Sequence, residues 1–462
     1  MNKIPVKLCT FILVLVLSAS GIGQPDIGWR VGLARLDITP TDSLWMAGYS
    51  SRTHGAQGTL HKLWIKAMAL QDANGHRGVL VTADVLGFPK NLSDAIRDRC
   101  RKAYQIDRSQ IILSATHTHS GPVLDRRYFV IYPLQKNVIA KIERYTRQLQ
   151  EDVVALVGQA LENMQPATLS SGNGVVRFQV NRRNNSSATL ARQTDLNGPN
   201  DYAVPVLQVR DENGDVLALL FGYACHATVL NGYQWSGDYP GFAQLALEER
   251  FPGAAAMFFQ GAGGDQNPLP RRTVPLAWQY GQELAAAVQR MTMEPRKPLA
   301  AELTMRYREI NLSLAPPPDE GALRAMAQKE SGSRQRWARW MLRRLERGES
   351  LPTFYPYPVQ VWRIGSQAIF VLGGEVVVDY AIRLKRLFGQ DIFVMAYSND
   401  VMAYIPTARV LREGGYEGLT SQIFYGLPAA WRADIETQII QAAIELAAEA
   451  GVSMPDARLV EE

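Results

Sequence analysis

Two pairs of apolar stretches in this chain are joined by turns of matching composition. Asp72-Ala73-Asn74-Gly75 lies between apolar runs at 62–71 and 78–86, and Asp211-Glu212-Asn213-Gly214 lies inside a second such pair. An Asn-Gly step between alternating apolar residues is a strong signal for a β-hairpin. The sequence therefore predicts two β-hairpins.

Helical patterns alternate with the predicted strands. The run at 29–40 is typical of a strand, a helix is expected to begin near Asn91 or Ser93, and further helices are expected at 134–163 and 431–451. Strand, hairpin, helix and strand in this order are typical of an α/β fold. We therefore expect layered, mixed β-sheets flanked by helices.

The composition fits one large globular unit. Of the 462 residues, 47% are apolar and 20% are charged, and no low-complexity linker separates two halves. We expect a single domain over residues 27–455 with a helical insert at about 318–350; whether this insert forms a lid is open.

The first 23 residues have the pattern of a secretory signal peptide. Lys3 and Lys7 precede an apolar stretch at 8–17, which small residues follow. This stretch is shorter than the roughly 20 residues of a membrane span, so we expect a secreted or periplasmic protein; a permanent N-terminal anchor is the alternative. Cys100 and Cys225 then remain, and the sequence leaves open whether they form a disulfide.

The chain is modestly basic, with a formal net charge of +5. The densest basic run, 333–349, has an apolar stripe at helical spacing, which a solvated helix explains better than a lipid or nucleic-acid surface. No other nucleic-acid signature accompanies it, so we expect no nucleic-acid partner.

Two histidines lie where an apolar strand meets a turn, in the sequence ILSATHTHSGP at 112–122. In a strand, residues i and i+2 point to the same face, so His117 and His119 could address one site. That arrangement suits a metal or an acid/base pair; a hydrogen-bonded structural pair is the alternative.

Other predicted strands also end in polar residues, namely Asp84, His226, Asp265 and Glu375. Each carboxylate alone is explained by a cap or a turn. Active sites of layered α/β folds collect where strands end, however, and two histidines with one carboxylate and an open position are typical of catalytic zinc.

An ordered set of motifs resembles the neutral/alkaline, non-lysosomal ceramidase family. It comprises GLARLDITP, MAGYSSRTHGAQGTLHKLWIKAMAL, VLVTADVLG, SATHTHSGP, QVNR, HAT, SGDYPGFA, QGAGGDQNP, GGE and AYIPT followed by YEG. The resemblance runs from about Val31 to about Gly426, and THTHSGP is its most specific element.

The resemblance implies a zinc-dependent amidohydrolase with a catalytic domain of the ceramidase fold. The implied reaction cleaves the N-acyl bond of ceramide, or of a related N-acyl lipid, by a zinc-activated water. The implied zinc ligands are His117, His226, Glu375 and Tyr404. The implied catalytic set is His119, Arg182, Asp265 and Asn267.

Two departures from the family pattern bear on the function. Asn267 takes the place of a serine in the family's GDVSPN loop; an amide can donate a hydrogen bond but cannot serve as a hydroxyl nucleophile. The stretch at 431–462 is too short and too helical for the family's C-terminal immunoglobulin-like sandwich, so the catalytic domain alone is expected.

Three functions remain open on the sequence. The first is the zinc amidohydrolase, with a lipid or small-molecule substrate and possible peripheral contact with a membrane surface. The second is a zinc hydrolase of another amide or ester, derived from a sugar or a cell wall. The third is a secreted binding protein without catalysis, since a fold does not fix a function.

Overall fold

A computed structural model describes residues 28–124, 132–190, 192–294 and 296–455. The expected signal peptide lies outside the described residues. The strands are β1 (Trp29–Asp37), β2 (Gly58–Thr59), β3 (Trp64–Gln71), β4 (Arg77–Ala83), β5 (Ile111–Ala115), β6 (Gln165–Val175), β7 (Gln179–Asn181), β8 (Ala203–Arg210), β9 (Val216–Tyr223), β10 (Gln234–Trp235), β11 (Ala255–Gln260), β12 (Gln266–Pro268), β13 (Lys297–Leu299), β14 (Leu303–Ser313), β15 (Phe354–Ile364), β16 (Gln367–Leu372), β17 (Glu375–Val376), β18 (Phe393–Met395) and β19 (Tyr404–Ile405).

The helices are α1 (Lys90–Tyr104), α2 (Lys136–Glu162), α3 (Ser187–Leu190), α4 (Asp238–Arg250), α5 (Val274–Met293), α6 (Glu320–Lys329), α7 (Gly332–Glu346), α8 (Asp379–Phe388), α9 (Ala408–Glu413) and α10 (Ile435–Glu449). The expected insert at about 318–350 holds α6 and α7. No helix in the described ranges has both the length and the apolar character needed to cross a membrane.

Two mixed sheets form the centre of the molecule. The larger has the order β11-β9-β8-β6-β1-β3-β4-β5, with β13 paired to β6, and the smaller has the order β14-β15-β16-β18. Both predicted hairpins are present, as the antiparallel pairs β3–β4 and β8–β9. The mixed, layered α/β class predicted from the sequence is confirmed.

Alternating side chains divide the core into layers. On β3, Ala67 and Ala69 pack with the apolar side chains of α1 and α2, whereas Met68 packs with Trp362 of the smaller sheet. On β16, Val371 joins the layer between the two sheets and Phe370 faces α8 and α10. The order of layers is therefore helices, large sheet, small sheet, helices, because strand side chains point alternately to opposite faces.

The strand that leads to the histidine pair ends earlier than expected. β5 ends at Ala115, and His117 has a left-handed backbone with a φ of 58°. The prediction that His117 and His119 lie in a strand is wrong. The tight turn that follows β5 brings the two side chains together instead.

Candidate metal centre

His117 is held by the chain that follows β4. Its side chain is fully buried, and its Nδ1 lies 2.6 Å from the carbonyl oxygen of Leu86. A carbonyl oxygen only accepts, so Nδ1 carries a proton, and in the neutral ring Nε2 faces the centre of the molecule with a lone pair.

His226 follows β9 and is held in the same manner. Its Nδ1 lies 2.6 Å from the carbonyl oxygen of Gly263, and its backbone nitrogen donates to the carbonyl of Gln266 over 3.0 Å. Burial, reinforced by the charge of Arg182, lowers the pKa of His226 to about 4. Its imidazole is therefore neutral near pH 7, with Nε2 as an acceptor.

Glu375 and Tyr404 are paired residues of the short parallel strands β17 and β19. Glu375 Oε2 lies 2.9 Å from Nε2 of His226 and 3.3 Å from Nε2 of His117. The hydroxyl oxygen of Tyr404 lies 3.1 Å from Nε2 of His226. Four side chains from both halves of the chain thus converge on one buried point.

The donor chemistry of this cluster fits a bound cation. Burial opposes ionisation of Glu375, and its pKa lies below the ordinary value only where positive charge at the imidazole nitrogens offsets burial; with both rings neutral, a bound cation would supply that charge. A carboxylate oxygen then faces the lone pair of His226 Nε2 across 2.9 Å, and both groups are acceptors. Ligands bound tetrahedrally to one zinc at 2.0–2.1 Å lie about 3.3 Å apart, close to the separations seen here.

His119 lies beside this cluster. Its Nε2 is 3.2 Å from Nε2 of His117, and ligand nitrogens of His117, His119 and His226 all lie within 4.8 Å of one another. Burial, reinforced by the two neighbouring imidazoles, holds the pKa of His119 well below its ordinary value. Its ring packs against Tyr49, with centroids 4.8 Å apart, and against Gly48.

An open cleft of about 890 Å³ reaches the cluster at His119 and Tyr404. Arg182 and Asn267 also line it, and the Arg182 guanidinium lies 5.3 Å from the ring centroid of Tyr404. The Asn267 Oδ1 is 3.5 Å from the Arg182 Nη1, so its amide group remains available as a donor. These two candidate catalytic residues therefore line the same cleft as His119 and Tyr404 of the candidate metal centre.

Two other strand-end carboxylates do not reach the cleft. Asp265 is fully buried and accepts from the backbone of Val378 at 2.9 Å and from Asn181 at 2.8 Å. Asp84 accepts from the backbone nitrogen of Trp64 at 2.9 Å. Both carboxylates hold neighbouring segments in place, which is the ordinary role of a cap or turn carboxylate.

Several residues near the centre had no assigned role in the sequence interpretation. The Tyr425 hydroxyl donates to Glu375 Oε1, and the Tyr397 ring packs on His117 with centroids 4.3 Å apart. Glu417 accepts from Arg182 Nε over 2.7 Å. Only Glu417 had a signal, because it belongs to the YEG motif. Cys100 and Cys225 are both buried and free.

These features define a class of layered α/β proteins. In this class a buried cluster of histidine, carboxylate and phenol side chains lies beside an open cleft. Residues 29–269 match the sequence profile described as neutral/alkaline non-lysosomal ceramidase, N-terminal. The chain belongs to this family.

Individual relatives agree with the family match. The chain is 28% identical over 255 residues to the neutral ceramidase of Pseudomonas aeruginosa, covering 53% of this chain and 37% of that protein. It is 24% identical over 265 residues to neutral ceramidase B of Dictyostelium discoideum, covering 53% and 36%. The matches thus span little more than a third of each relative's length.

The fold extends the similarity beyond the matched sequence. The crystal structure of the Pseudomonas aeruginosa neutral ceramidase superposes with a TM-score of 0.71 at 21% identity, covering 94% of this chain and 77% of that one. A structure described as ceramidase complexed with C2 gives a TM-score of 0.72 at 20% identity, with the same coverage. At this level of identity the likeness shows the fold.

Proposed function

We propose that this protein is an exported, zinc-dependent amidohydrolase that cleaves the N-acyl bond of ceramide or of a related N-acyl lipid. The observation that carries the proposal is the convergence of His226 Nε2 and Glu375 Oε2, two acceptors 2.9 Å apart, at the end of an open cleft. Family membership supplies the reaction type, because the relatives are named ceramidases.

Four side chains would hold the ion: His117, His226, Glu375 and Tyr404. When bound, zinc polarises a carbonyl oxygen and lowers the pKa of a water to about 7. The backbone carbonyls of Leu86 and Gly263 fix the tautomers of the two histidines, so the Nε2 lone pairs remain directed inward.

Other residues would stabilise the negative charge that develops on the amide oxygen. Arg182 is oriented by Glu417 and stacks on Tyr404, which places fixed positive charge beside the ligand set. His119 and the amide group of Asn267 offer neutral donors on the same wall of the cleft. Such pre-oriented donors commonly contribute about 10²–10³-fold to the rate.

Asn267 favours attack by water over attack by a side chain. It takes the place of the family's serine and has no hydroxyl group that could form a covalent acyl intermediate. The loop at 264–268 would therefore supply a hydrogen-bond donor, Asn267, rather than the nucleophile.

A second candidate is hydrolysis of a more polar amide or ester. The observation in its favour is the wall of the cleft, which carries Arg182, Arg183, Arg271 and Arg272. A sugar-derived or cell-wall-derived substrate would suit such a surface better than a wholly apolar one.

The test combines metal analysis with substrate competition. We expect about one zinc per chain, activity lost on chelation and restored by Zn²⁺, and preference for micellar ceramide over short, water-soluble N-acyl compounds. Preference for the soluble compounds would support the second candidate. Absence of bound zinc together with undiminished activity after chelation would overturn the proposal.

The signal-peptide pattern of residues 1–23 supports export. Peripheral contact with a membrane surface would follow from a lipid substrate. Expression of the full chain with sequencing of the N-terminus of the extracellular or periplasmic fraction tests the first point; an intact N-terminus on a cytoplasmic protein would contradict it.

A further inference from the structure

The cleft beside the metal cluster carries an excess of positive charge. Its walls hold four arginines, Arg182, Arg183, Arg271 and Arg272, and two glutamates, Glu413 and Glu417. Four positive groups against two negative ones leave two positive charges in excess.

The two glutamates neutralise one pair of arginines. Glu417 binds Arg182 Nε over 2.7 Å and Arg183 Nη1 over 2.6 Å. Glu413 binds Arg183 Nη2 over 2.9 Å. The excess therefore resides on the other pair, Arg271 and Arg272.

Neither arginine of the second pair has a carboxylate partner among the residues that the structure describes. Arg271 Nη1 donates to the Thr228 hydroxyl over 3.3 Å, and Arg272 Nη1 donates to the Tyr49 hydroxyl over 2.9 Å. These neutral contacts leave most of the ten N–H donors of two guanidinium groups unfilled. Burial, reinforced by repulsion from Arg272, lowers the pKa of Arg271.

The backbone holds Arg272 in an unfavourable conformation. Arg272 has a φ of 97°, an energetically unfavourable region that residues other than glycine seldom occupy. Its backbone nitrogen donates to the carbonyl of Val229 over 2.7 Å, which ties the segment to the chain just after His226. Strain of this kind is concentrated at ligand-binding sites.

One aromatic ring separates the pair from the catalytic cluster. The Arg272 guanidinium lies 5.2 Å from the ring centroid of Tyr49. The same ring also packs against His119, at a centroid distance of 4.8 Å. A substrate with its amide at the metal cluster could therefore reach Arg271 and Arg272 with a group only a few bonds away.

We propose that Arg271 and Arg272 form an anion subsite, so that the substrate is an N-acyl amine whose amine portion carries a carboxylate, sulfonate or phosphate. This inference rests on the proposed amidohydrolase function and narrows its substrate class from ceramide, which has no anionic group, to related N-acyl lipids that have one. Guanidinium groups match the planar, bidentate geometry of such anions and bind them with charge-assisted hydrogen bonds.

The test uses probes that share an acyl chain and differ at the headgroup. N-lauroylethanolamine is neutral, N-lauroyltaurine is a sulfonate and N-lauroylglycine is a carboxylate; all are assayed below their critical micelle concentrations so that surface binding does not contribute. We expect kcat/KM to be about tenfold or more higher for the anions than for the neutral probe, as one charge-assisted hydrogen bond would give.

Variants assign that preference to the pair. In Arg271→Gln and Arg272→Gln, the ratio of kcat/KM between the anionic and neutral probes should fall about tenfold, through KM for the anions. Arg272→Lys keeps the positive charge but loses the planar, bidentate guanidinium. Its ratio should therefore lie between those of the wild type and Arg272→Gln. Arg101→Gln, an exposed arginine of α1 outside the cleft, should leave the ratio and the basal activity unchanged.

Each outcome has a separate meaning. Equal turnover of neutral and anionic probes by the wild type overturns the anion subsite and leaves the amidohydrolase proposal intact. An equal fall in kcat/KM for all probes in Arg271→Gln also overturns it, because the pair would then act on the acyl portion that all the probes share. If no probe is hydrolysed, isothermal titration calorimetry with the wild-type protein, without chelation, decides. Tighter binding of N-lauroyltaurine than of N-lauroylethanolamine, with the difference lost in Arg272→Gln, supports the subsite. Equal binding of the two probes overturns it.

Discussion

Glu375 and Tyr404 are register partners in the parallel pair β17–β19, and both direct an oxygen at the same imidazole nitrogen. Glu375 Oε2 lies 2.9 Å and the Tyr404 hydroxyl 3.1 Å from Nε2 of His226. Two short strands thus fix a carboxylate and a phenol side by side, and His226 provides the nitrogen that both share.

His226→Ala tests that shared position. We expect loss of stoichiometric metal and a fall in kcat/KM of more than about a hundredfold, since partners outside a ligand set already cost 10–100-fold. Metal analysis and steady-state kinetics provide the readouts. His76→Gln, at an exposed hairpin turn, is the matched control and should change neither; an active, metal-loaded His226→Ala protein would exclude the site.

Tyr425→Phe tests the positioning of Glu375. The phenol donates to Oε1, the carboxylate oxygen opposite the one that faces the histidines. We expect metal affinity to weaken about 10–100-fold while the fold is retained. Competition with a chelator measures the affinity. Tyr145→Phe on α2 loses a hydrogen bond of 2.6 Å to the carbonyl of Ile38 and should affect stability alone. Equal metal affinity in both variants would contradict the positioning role.

Gly48→Ala tests the placement of His119. A Cβ at Gly48 would lie 2.4 Å from Nδ1 of His119, so the ring must move. We expect kcat to fall at least tenfold with metal content retained, since His119 is not one of the four proposed ligands. Gly214→Ala is a control of matched backbone strain, because Gly214 has a φ of 88° and nothing within 4 Å of the added atom. Both should lose about 1 kcal/mol of stability, and only Gly48→Ala should lose activity.

Asp238 predicts a pH dependence of stability. Burial raises its pKa from 3.8 to about 6, although the backbone nitrogens of Leu230, Tyr239 and Val229 donate to it and act in the opposite direction. The folded protein binds this proton more tightly than the unfolded chain does, so protonation of Asp238 stabilises the folded state. This contribution is complete below about pH 4 and is lost as the pH rises through about 6.

The measurement compares the wild type with Asp238→Asn. The free energy of unfolding of the wild type, minus that of Asp238→Asn, should rise by about 1 kcal/mol when the pH is lowered from 7 to 5. Urea titrations at the two pH values give this difference, and the untitratable variant cancels the contributions of all other groups. A difference that stays constant with pH, or that moves in the opposite direction, would show that the carboxylate is already ionised at pH 5.

Much of the layered fold could be predicted because its signals are local. The Asn-Gly turns specify the two hairpins, and apolar periodicity specifies helices such as α2, expected at 134–163 and observed at Lys136–Glu162. The left-handed backbone of His117 could not be predicted, because it accompanies a contact between its side chain and the carbonyl of Leu86, which lies far from it in the sequence.

The candidate site divides along the same line. Histidines and carboxylates at strand ends were visible as a pattern, but the pattern gave Asp84 and Asp265 the same weight as Glu375. Only the arrangement of the strands distinguishes these carboxylates. Glu375 is paired with Tyr404, whereas Asp265 accepts a hydrogen bond from the backbone nitrogen of Val378. Tyr425 and Arg272 carry no local signal, because their contacts join segments far apart in the chain.

The distribution of the ligand set over the two sheets has a consequence for biosynthesis. His117 and His226 follow strands of the large sheet, whereas Glu375 and Tyr404 come from the segments after β16 and β18. The chain is synthesised from its N-terminus, and Tyr404 is the last of the four proposed ligands to be made. The complete ligand set cannot form until the polypeptide as far as Tyr404 has been synthesised and has docked. A metal held by these four side chains would therefore be bound late in maturation, and its presence would show that both halves of the chain had assembled.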